Sequence, residues 1–357
     1  MNGVIRKRLS RLFNGAEFDA VLISNSGPSE IDPDFVYLSG LKRGVYESNM
    51  VVATKERRFV FTTPLDYDDC VSQLGSKADV IDMSANGAKN DLVSLLEGKV
   101  VGINGSYLPY SEYRRIKREY KIKSLVDVSG KLLEARLVKD KTEIMSMKRA
   151  IGITKKAMKE IISHVKQGMT ELELAGIFEE ILHRNGADGT SFKTIVAFGK
   201  NSAIPHHMPD STRFKHGDVV LIDAGATYEF YCADMTRTFL TGKKDEGIKK
   251  IYDTVAEAQR RAISMMHVGE NGRNVDKAAR DYIDSVYEGK YKGRFTHSLG
   301  HSVGIEVHDG YVLSPKSNVV LKEGMVFTAE PGVYVPGLGG VRIEDDILIT
   351  KNGPIKM

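Results

Sequence analysis

The order of apolar and polar residues divides the chain into two parts of different character. From residue 1 to about 130, short apolar runs alternate with segments of helical spacing, which is typical of an α/β domain. The runs, interpreted as strands, are DAVLISN, FVYLSG, NMVVAT, RFVFTT, ADVIDM and KVVGING. The pattern then changes, so we place a domain boundary at Leu137 and predict domains at 1–137 and 138–357.

Four helices are predicted in the second part. Asp140, followed three residues later by Glu143, has the spacing of a capping box and predicts the start of a long helix. The other predicted helices are TELELAGIFEEILHRNG, ending at Gly186, about 246–266, and Val275 to about Tyr287. Strand-like segments lie between and after them: SFKTIVAFG, DVVLIDAG, YEFYCADMTRTFL, GMVFTAEPGVYV and GGVRIEDDILIT. This grouping indicates an α+β domain.

Two aspartates interrupt strand-like runs in VVLIDAGATYEFYCADMTRTF. A symmetric hairpin with its turn at about 226–231 would place Asp223 directly opposite Asp234. Cross-strand partners have Cβ atoms only ~4.5 to 5.5 Å apart. Like charges at that distance repel each other unless a cation lies between them, so the pattern indicates a cation site.

A second hairpin near the C-terminus repeats this construction. Glu330 and Glu344 flank a turn centred on Gly337. Four carboxylates in an apolar interior need compensating charge, which two divalent cations would supply. The alternative is that each acid pairs with its own basic residue. The nearby candidates for that are Arg237 and Arg342, and two arginines do not balance four acids.

The segment FTHSLGHSVGIEVHDG adds three histidines, His297, His301 and His308. A single histidine is more often an ordinary core or surface residue than a ligand, but three close together beside a paired-acid hairpin favour a site. The HxxxH spacing could also mean two zinc ligands on a helix, yet Gly300 and Gly304 disfavour a helix and the HExxH glutamate is missing. His301, with glycines on both sides, is the predicted metal ligand.

Composition restricts the class of function. The 357 residues exceed the ~100 to 200 usual for one domain, and 41% hydrophobic with 27% charged residues is ordinary for a soluble globular protein. The formal net charge of +4 is too small to indicate nucleic-acid binding without a basic patch. One patch exists, EYRRIKREYKIK, at 112–123, but its spacing favours the exposed face of an amphipathic helix.

No segment predicts export or membrane insertion. The start MNGVIRKRLSRLF lacks an apolar run of signal-peptide length, and nowhere do ~18 uncharged apolar residues follow one another. Cys70 and Cys232 are too few and too far apart for a disulfide framework or a four-thiolate zinc site. We therefore predict a cytoplasmic protein with no membrane and no nucleic-acid partner.

Taken together, these motifs resemble a known family. IDAG followed by ADMTRTF, then HSLGHSVGIEVHD and EPGVYVPGLGGVRIED, resembles the pita-bread metallopeptidases, and within them the proline-specific branch of prolidases and aminopeptidases P. The similarity is close over about 138–357 and weaker over the first 130 residues. It implies an α+β pita-bread catalytic domain with pseudo-twofold symmetry, its cupped antiparallel sheet backed by helices. A smaller creatinase-like α/β domain would precede it, and the protein would be a homodimer.

The resemblance also implies roles for individual residues. The positions that match the family's five metal ligands are Asp223, Asp234, His301, Glu330 and Glu344, with Asp234 and Glu344 bridging and His301 and Glu330 on one metal. Two divalent ions (Mn²⁺, Co²⁺, Zn²⁺ or iron) would activate a bridging water as hydroxide, and Glu330 would take its proton. The positions that match residues beside the substrate or the ligands are His206, His297, His308 and Arg342, with His308 and His206 at the oxyanion. His207 has no such match and is predicted to be structural or exposed.

The implied substrates are short proline-containing peptides. Many dipeptidases of this branch carry an arginine four residues after the histidine that matches His308, where it binds the dipeptide carboxylate; here the position is Val312. This favours an Xaa-Pro aminopeptidase over an Xaa-Pro dipeptidase (prolidase), although another basic group could replace the arginine. Creatinase-like hydrolases and non-catalytic peptide-binding relatives are disfavoured, because all five ligand positions are filled.

Overall fold

The structure is a computed structural model that describes residues 3–25, 31–242 and 246–357. The chain divides into two compact units, Met1–Arg136 and Leu137–Met357. Over the described ranges, no helix is both long and apolar enough to cross a membrane.

The N-terminal unit is built around a mixed sheet that has six strands among its described residues. The strands are β1 (Ala20–Ser24), β2 (Met50–Thr54), β3 (Arg58–Thr62), β4 (Asp79–Asp82), β5 (Val100–Ile103) and β6 (Ser124–Asp127). Their order is β4-β3-β2-β1-β5-β6, with β1 antiparallel to β2 and parallel to β5. The helices are α1 (Gly3–Leu12), α2 (Pro33–Ser39), α3 (Tyr67–Leu74), α4 (Ala88–Leu96), α5 (Tyr110–Glu119) and α6 (Ser129–Leu137).

The interpretation of FVYLSG as a strand is wrong, because this run forms most of α2. The Asp32 side chain accepts a hydrogen bond from Asp34 N, Pro33 opens the helix, and Gly40 ends it with φ of 69°. Every residue of α2 is buried. No polar face therefore marks the helical period, and the segment looks like a buried strand. The other five apolar runs contain β1 to β5.

The basic patch at 112–123 lies largely on α5, as an amphipathic helix would require. Glu112 and Ile116 are buried on its inner face. Arg115 lies 2.5 Å from Glu112 and 3.2 Å from Glu119, measured between guanidinium nitrogens and carboxylate oxygens. The amphipathic helix is confirmed, and acids of the helix itself neutralise part of the basic charge.

The C-terminal unit has four helices among its described residues, and three of them begin directly after a residue whose side chain caps them. They are α7 (Lys141–Ile161), α8 (Glu171–Arg184), α9 (Glu246–Met265) and α10 (Gly272–Ser285). The predicted capping box is present: Asp140 accepts from the backbone of Glu143, whose carboxylate accepts from Asp140 N at 2.9 Å. The last helix starts three residues before the predicted Val275, because the side chain of Asn271 caps it.

The strands of this unit form small antiparallel sheets. They are β7 (Gly189–Thr190), β8 (Ile195–Phe198), β9 (Val219–Ala224), β10 (Ala226–Tyr228), β11 (Tyr231–Cys232), β12 (Met235–Leu240), β13 (Gly300–His301), β14 (Val312–Leu313), β15 (Val326–Ala329), β16 (Gly332–Val335), β17 (Gly339–Arg342), β18 (Asp345–Thr350) and β19 (Gly353–Lys356). Two long hairpins dominate: β9–β12 continues into β10–β11, and β15–β18 continues into β16–β17. Apolar residues of α7 and α8 pack on the first hairpin, and those of α9 and α10 pack on the second.

A buried ion pair anchors the segment that follows His308. Lys139 Nζ lies 3.0 Å from Asp309 Oδ2, and each side chain is 1% exposed. The pair joins the first residues of the C-terminal unit to the loop that carries His308. Charges this deeply buried are tolerated because they are paired.

Replacing Lys139 by methionine is therefore expected to lower the free energy of unfolding by roughly 3 to 5 kcal/mol, because the Asp309 carboxylate would stay buried without its ammonium partner. Urea unfolding followed by circular dichroism measures the loss. The double variant Lys139→Met/Asp309→Leu should recover most of it, since an apolar pair leaves no charge uncompensated. A single variant as stable as the wild type would show that this pair does not hold the loop.

Candidate metal centre

The first hairpin places its two aspartates in diagonal positions. Asp223 pairs with Thr236. The same register runs on through a 3.0 Å backbone hydrogen bond from Ala233 to Ala226. The prediction that Asp223 directly faces Asp234 is therefore wrong, although both side chains reach the same cavity.

The reason for the changed register is the turn. Tyr228 pairs with Tyr231, so Glu229 and Phe230 form a two-residue turn with φ of 51° and 67°. Two positive φ values define a type I′ turn, which matches the twist of the flanking strands and usually contains Asn or Gly. Neither residue is present here, so no local sequence signal marks the turn. Its centre lies one residue beyond the predicted midpoint, which moves each cross-strand partner by two residues.

The second hairpin has the predicted register. The pairings on either side of its acids are Ala329 with Asp345 and Gly332 with Arg342. This register makes Glu330 and Glu344 opposite positions and is centred on Gly337, which has φ of 82°. The prediction for this hairpin is confirmed.

Hydrogen bonds join the two hairpins beside the acids. Glu344 N donates to the carbonyl oxygen of Thr236 at 3.2 Å, and Thr236 Oγ1 donates to Glu344 Oε2 at 2.6 Å. Glu344 is thereby held next to the strand that follows Asp234. Ligand atoms of Asp234, His301 and Glu344 all lie within 4.8 Å of one another, as in a group that could hold a metal ion.

His301 lies on a short strand, in agreement with the expectation that its glycines exclude a helix. A Cβ atom on Gly300 would overlap the carbonyl oxygen of Thr328, so the close approach of the two backbones requires glycine. His301 N donates to Thr328 Oγ1 at 3.0 Å. Its Nε2 lies 3.4 Å from Asp234 Oδ2 and 3.3 Å from Glu330 Oε1, between the two hairpins.

The nine residues to which the family resemblance assigns a role all line one cavity of about 470 Å³. They are His206, Asp223, Asp234, His297, His301, His308, Glu330, Arg342 and Glu344. The remaining wall is largely apolar and includes Phe192, Ile195, Met208, Val307 and Val312. A volume of this size suits a small ligand, and an apolar wall with convergent polar groups is usual for binding sites.

His207 lies outside this group. It is buried, and its Nε2 lies 2.7 Å from Glu171 Oε2. The other carboxylate oxygen of Glu171 accepts hydrogen bonds from Phe198 N at 2.7 Å and Asn201 at 3.0 Å. These contacts fix the segment that carries His206, so His207 has the structural position that was one of its two predicted alternatives.

Arginine compensates only part of the acidic charge. Arg342 Nη2 lies 2.5 Å from Asp223 Oδ2, whereas Arg237 pairs with Asp345 at 2.6 Å. Within the described part of the chain, no lysine or arginine forms an ion pair with Asp234, Glu330 or Glu344. Pairing each acid with its own basic residue therefore fails for three of the four acids.

Burial and mutual repulsion disturb the ionisation of these acids. Burial, with the nearby Asp223 carboxylate, raises the pKa of Asp234 to about 7, despite a hydrogen bond from His301. Burial and Asp234 raise the pKa of Glu344 well above its ordinary value. Burial lowers the pKa of His301, but hydrogen bonds to Asp234 and Glu330 more than offset this and raise it. Without a cation, the cluster retains protons that a divalent ion would displace.

The donor set fits a divalent cation. Among the described residues, Asp223 Oδ1 is buried and has no hydrogen-bond partner, which is rare for a carboxylate oxygen. A metal ion would satisfy it. Several carboxylate oxygens with one imidazole suit Mn²⁺, Co²⁺, Fe²⁺ or Zn²⁺ and do not select one of them.

Several supporting residues were missed in the sequence. Tyr334 is one: its hydroxyl lies 2.9 Å from His297 Nε2 and accepts from Arg342 Nη1 at 2.8 Å. Strand alternation could have found it, because Tyr334 lies two residues after Gly332, the partner of Arg342. The other missed residues are Thr236 and Thr328, whose hydroxyls donate hydrogen bonds to Glu344 and Glu330, respectively. Asp346 was missed as well; its carboxylate accepts a hydrogen bond from Asp234 N. In the sequence, the feature that could have indicated Asp346 is the run of three acids, EDD, at 344–346.

Comparison with known proteins agrees with this geometry. The sequence profile of metallopeptidase family M24 matches residues 145–351, and that of the creatinase/prolidase N-terminal domain matches residues 6–138. The chain is 36% identical to an Xaa-Pro dipeptidase of Pyrococcus horikoshii, over 97% of this chain and 94% of the relative. An X-Pro aminopeptidase from Thermotoga maritima superposes with a TM-score of 0.89 at 32% identity, over 98% of this chain and 97% of that one. An Xaa-Pro dipeptidase from Bacillus anthracis superposes with a TM-score of 0.87 at 31% identity, over 99% of this chain and 96% of that one.

Proposed function

Because this chain belongs to metallopeptidase family M24, we propose that it is an Xaa-Pro dipeptidase that hydrolyses the bond before a C-terminal proline. The observation that carries the proposal is the convergence of four acids and His301 from separate elements on one cavity. Relatives of the chain that are named Xaa-Pro dipeptidase support the dipeptidase over the aminopeptidase. The sequence alone favours the aminopeptidase because of Val312.

We propose that the five predicted ligands, Asp223, Asp234, His301, Glu330 and Glu344, hold two divalent metal ions. Two ions supply the four positive charges that four carboxylates need; in the described ranges, only Asp223 among these acids has an arginine partner. When bound, such ions lower the pKa of a water molecule and polarise the scissile carbonyl.

Glu330 is proposed to move the proton of the reaction. His301, helped by His297, lowers the pKa of Glu330 against the effect of burial, so the carboxylate is ionised at neutral pH. An ionised carboxylate can accept a proton from the attacking water and return it to the leaving proline nitrogen. Its contact with Thr328 Oγ1, at 3.3 Å, orients Oε1.

His308 is proposed to donate a hydrogen bond to the oxyanion, with His206 beside it. Burial, then the neighbouring His301, lowers the pKa of His308, so its ring is neutral near pH 7 and keeps one N–H to donate. The ring centroids of His301 and His308 are 4.2 Å apart, which places this donor next to the proposed ligands. His297, bonded to Tyr334, closes another side of the cavity.

An Xaa-Pro aminopeptidase is the second candidate. It is favoured by Val312, which is 46% exposed at the cavity and offers no charge to a substrate carboxylate. The Thermotoga maritima relative has this activity in its name. The homodimer, the metal identity and the cytoplasmic location stay predictions from the sequence.

A comparison of two substrates tests the proposal. Metal-depleted protein is reloaded separately with Mn²⁺, Co²⁺ and Zn²⁺ and is offered Ala-Pro and Ala-Pro-Ala, with Ala-Ala as the control without proline. We expect hydrolysis of Ala-Pro with at least one metal and much slower hydrolysis of the other two peptides. Cleavage of the tripeptide alone would favour the aminopeptidase, and cleavage of neither proline peptide with any metal would refute both activities.

A further inference from the structure

The cavity contains two cationic side chains that are not histidine, Arg342 and Lys193. Arg342 is 3% exposed, and its guanidinium is engaged with Asp223 and with the hydroxyl of Tyr334. Lys193 is exposed, and no described residue forms an ion pair with it. Of these two side chains, Lys193 is the one whose charged group is accessible to a ligand.

The backbone places Lys193 beside the proposed metal site. Ile195 begins β8 and pairs with Asp223 on β9. Lys193 and Ile195 both line the cavity, whereas Thr194 between them is 4% exposed and does not line it. This alternation puts Lys193 on the same face as Ile195, two residues before the start of β8.

A dipeptide brings its free carboxylate close to the scissile bond. The carboxyl carbon of a C-terminal proline is one residue away from the scissile carbonyl carbon, which spans at most about 3.6 Å. An ammonium–carboxylate hydrogen bond adds about 2.7 to 2.9 Å. A cation that binds the carboxylate must therefore lie within about 7 Å of the scissile carbon, that is, in the cavity that also holds the proposed ligands, and Lys193 lines that cavity.

We propose that Lys193 binds the free carboxylate of the Xaa-Pro dipeptide and so selects dipeptides over longer peptides. This inference rests on the proposed dipeptidase activity. Dipeptides end in a charged carboxylate beside the scissile bond, whereas longer peptides have an uncharged amide there. Exposed Val312 supplies no charge at the cavity, and the accessible ammonium of Lys193 fills that need.

The test compares Lys193→Ala with wild type on Ala-Pro and on Ala-Pro amide, which lacks the carboxylate. Loss of a hydrogen bond between charged groups should raise KM for Ala-Pro by about 10- to 100-fold, with a small change in kcat. KM for the amide should stay within about threefold, since the amide has no charge for Lys193 to bind. Lys193→Arg should retain most of the affinity. Calorimetric binding of free proline should weaken in Lys193→Ala, which gives a readout besides turnover.

Lys200→Ala is the matched control, because Lys200 is an exposed lysine that lines a different cavity. It should leave both KM values unchanged. Equal effects of Lys193→Ala on Ala-Pro and its amide would overturn the role of Lys193 and leave the dipeptidase intact. A wild type that cleaves Ala-Pro-Ala but not Ala-Pro would instead remove the proposed function and this inference with it.

Discussion

The variant Glu344→Gln is expected to bind no metal and to have a metal-dependent turnover reduced by more than about 10³-fold. This loss exceeds that usually caused by removing one hydrogen-bond donor to an oxyanion. A neutral amide cannot balance the charge of a divalent cation, although it preserves the volume of the side chain. Its oxygen can still accept the 2.6 Å hydrogen bond from Thr236. Metal content by plasma mass spectrometry and turnover of Ala-Pro measure the two losses.

The same variant should be at least as stable as the metal-free wild type. In the folded protein, burial and Asp234 raise the pKa of Glu344 well above its ordinary value. The unfolded chain therefore binds fewer protons than the folded one above the ordinary pKa, and wild-type stability falls as pH rises. Glutamine does not titrate, so the stability difference between variant and metal-free wild type should widen from pH 5 to pH 8 in thermal unfolding.

Glu323→Gln is the matched control for this prediction, because its surface carboxylate pairs with Lys351 at 3.6 Å and does not line the cavity. It should leave turnover and metal content unchanged. Full metal content in Glu344→Gln would contradict the proposed role of Glu344 as a ligand. Restoration of thermal stability by added metal, equal to that of the wild type, would contradict it as well.

His308→Ala is expected to lower kcat by about 10² to 10³-fold while the metal content stays unchanged, because one hydrogen bond to the developing oxyanion is lost. KM should change little if that hydrogen bond forms mainly in the transition state. The separation between turnover and metal content distinguishes His308 from His301, whose replacement should reduce both. Steady-state kinetics on the fully metal-loaded variant provide the measurement.

The control for His308 is His216→Ala, which removes an exposed imidazole that is not part of the cavity wall. Its kinetics should match the wild type. An unchanged kcat in metal-loaded His308→Ala would argue against the oxyanion role. A variant that loses metal along with activity would instead place His308 among the residues that hold the metal site together.

Elements with a strong local signal could be predicted from the sequence. The helix after Asp140 began where its capping box required, and the second hairpin closed around Gly337 as its symmetry predicted. Where the local signal was absent, prediction was wrong. Helix α2 is buried on all sides and therefore looks like a strand. The turn at Glu229 and Phe230 uses positive φ without Asn or Gly, so its register could not be read.

The sequence by itself determined the five proposed ligands, though not the residues that support them. Isolated charges in apolar strands and clustered histidines are unusual enough to identify Asp223, Asp234, Glu330, Glu344 and His301 without coordinates. The positions of these residues along the chain are enough for this identification, because a charged residue in a buried strand needs a compensating partner in any fold.

Only the tertiary structure decided how those residues meet. Two contacts join residues from different elements: the hydrogen bond from Glu344 N to Thr236 and the ion pair between Asp223 and Arg342. The exposure of Lys193 at the cavity is also a property of the folded chain. Such contacts depend on strand register and on the packing of one hairpin against the other. Both arise from interactions distant along the chain, and no local pattern of residues specifies them.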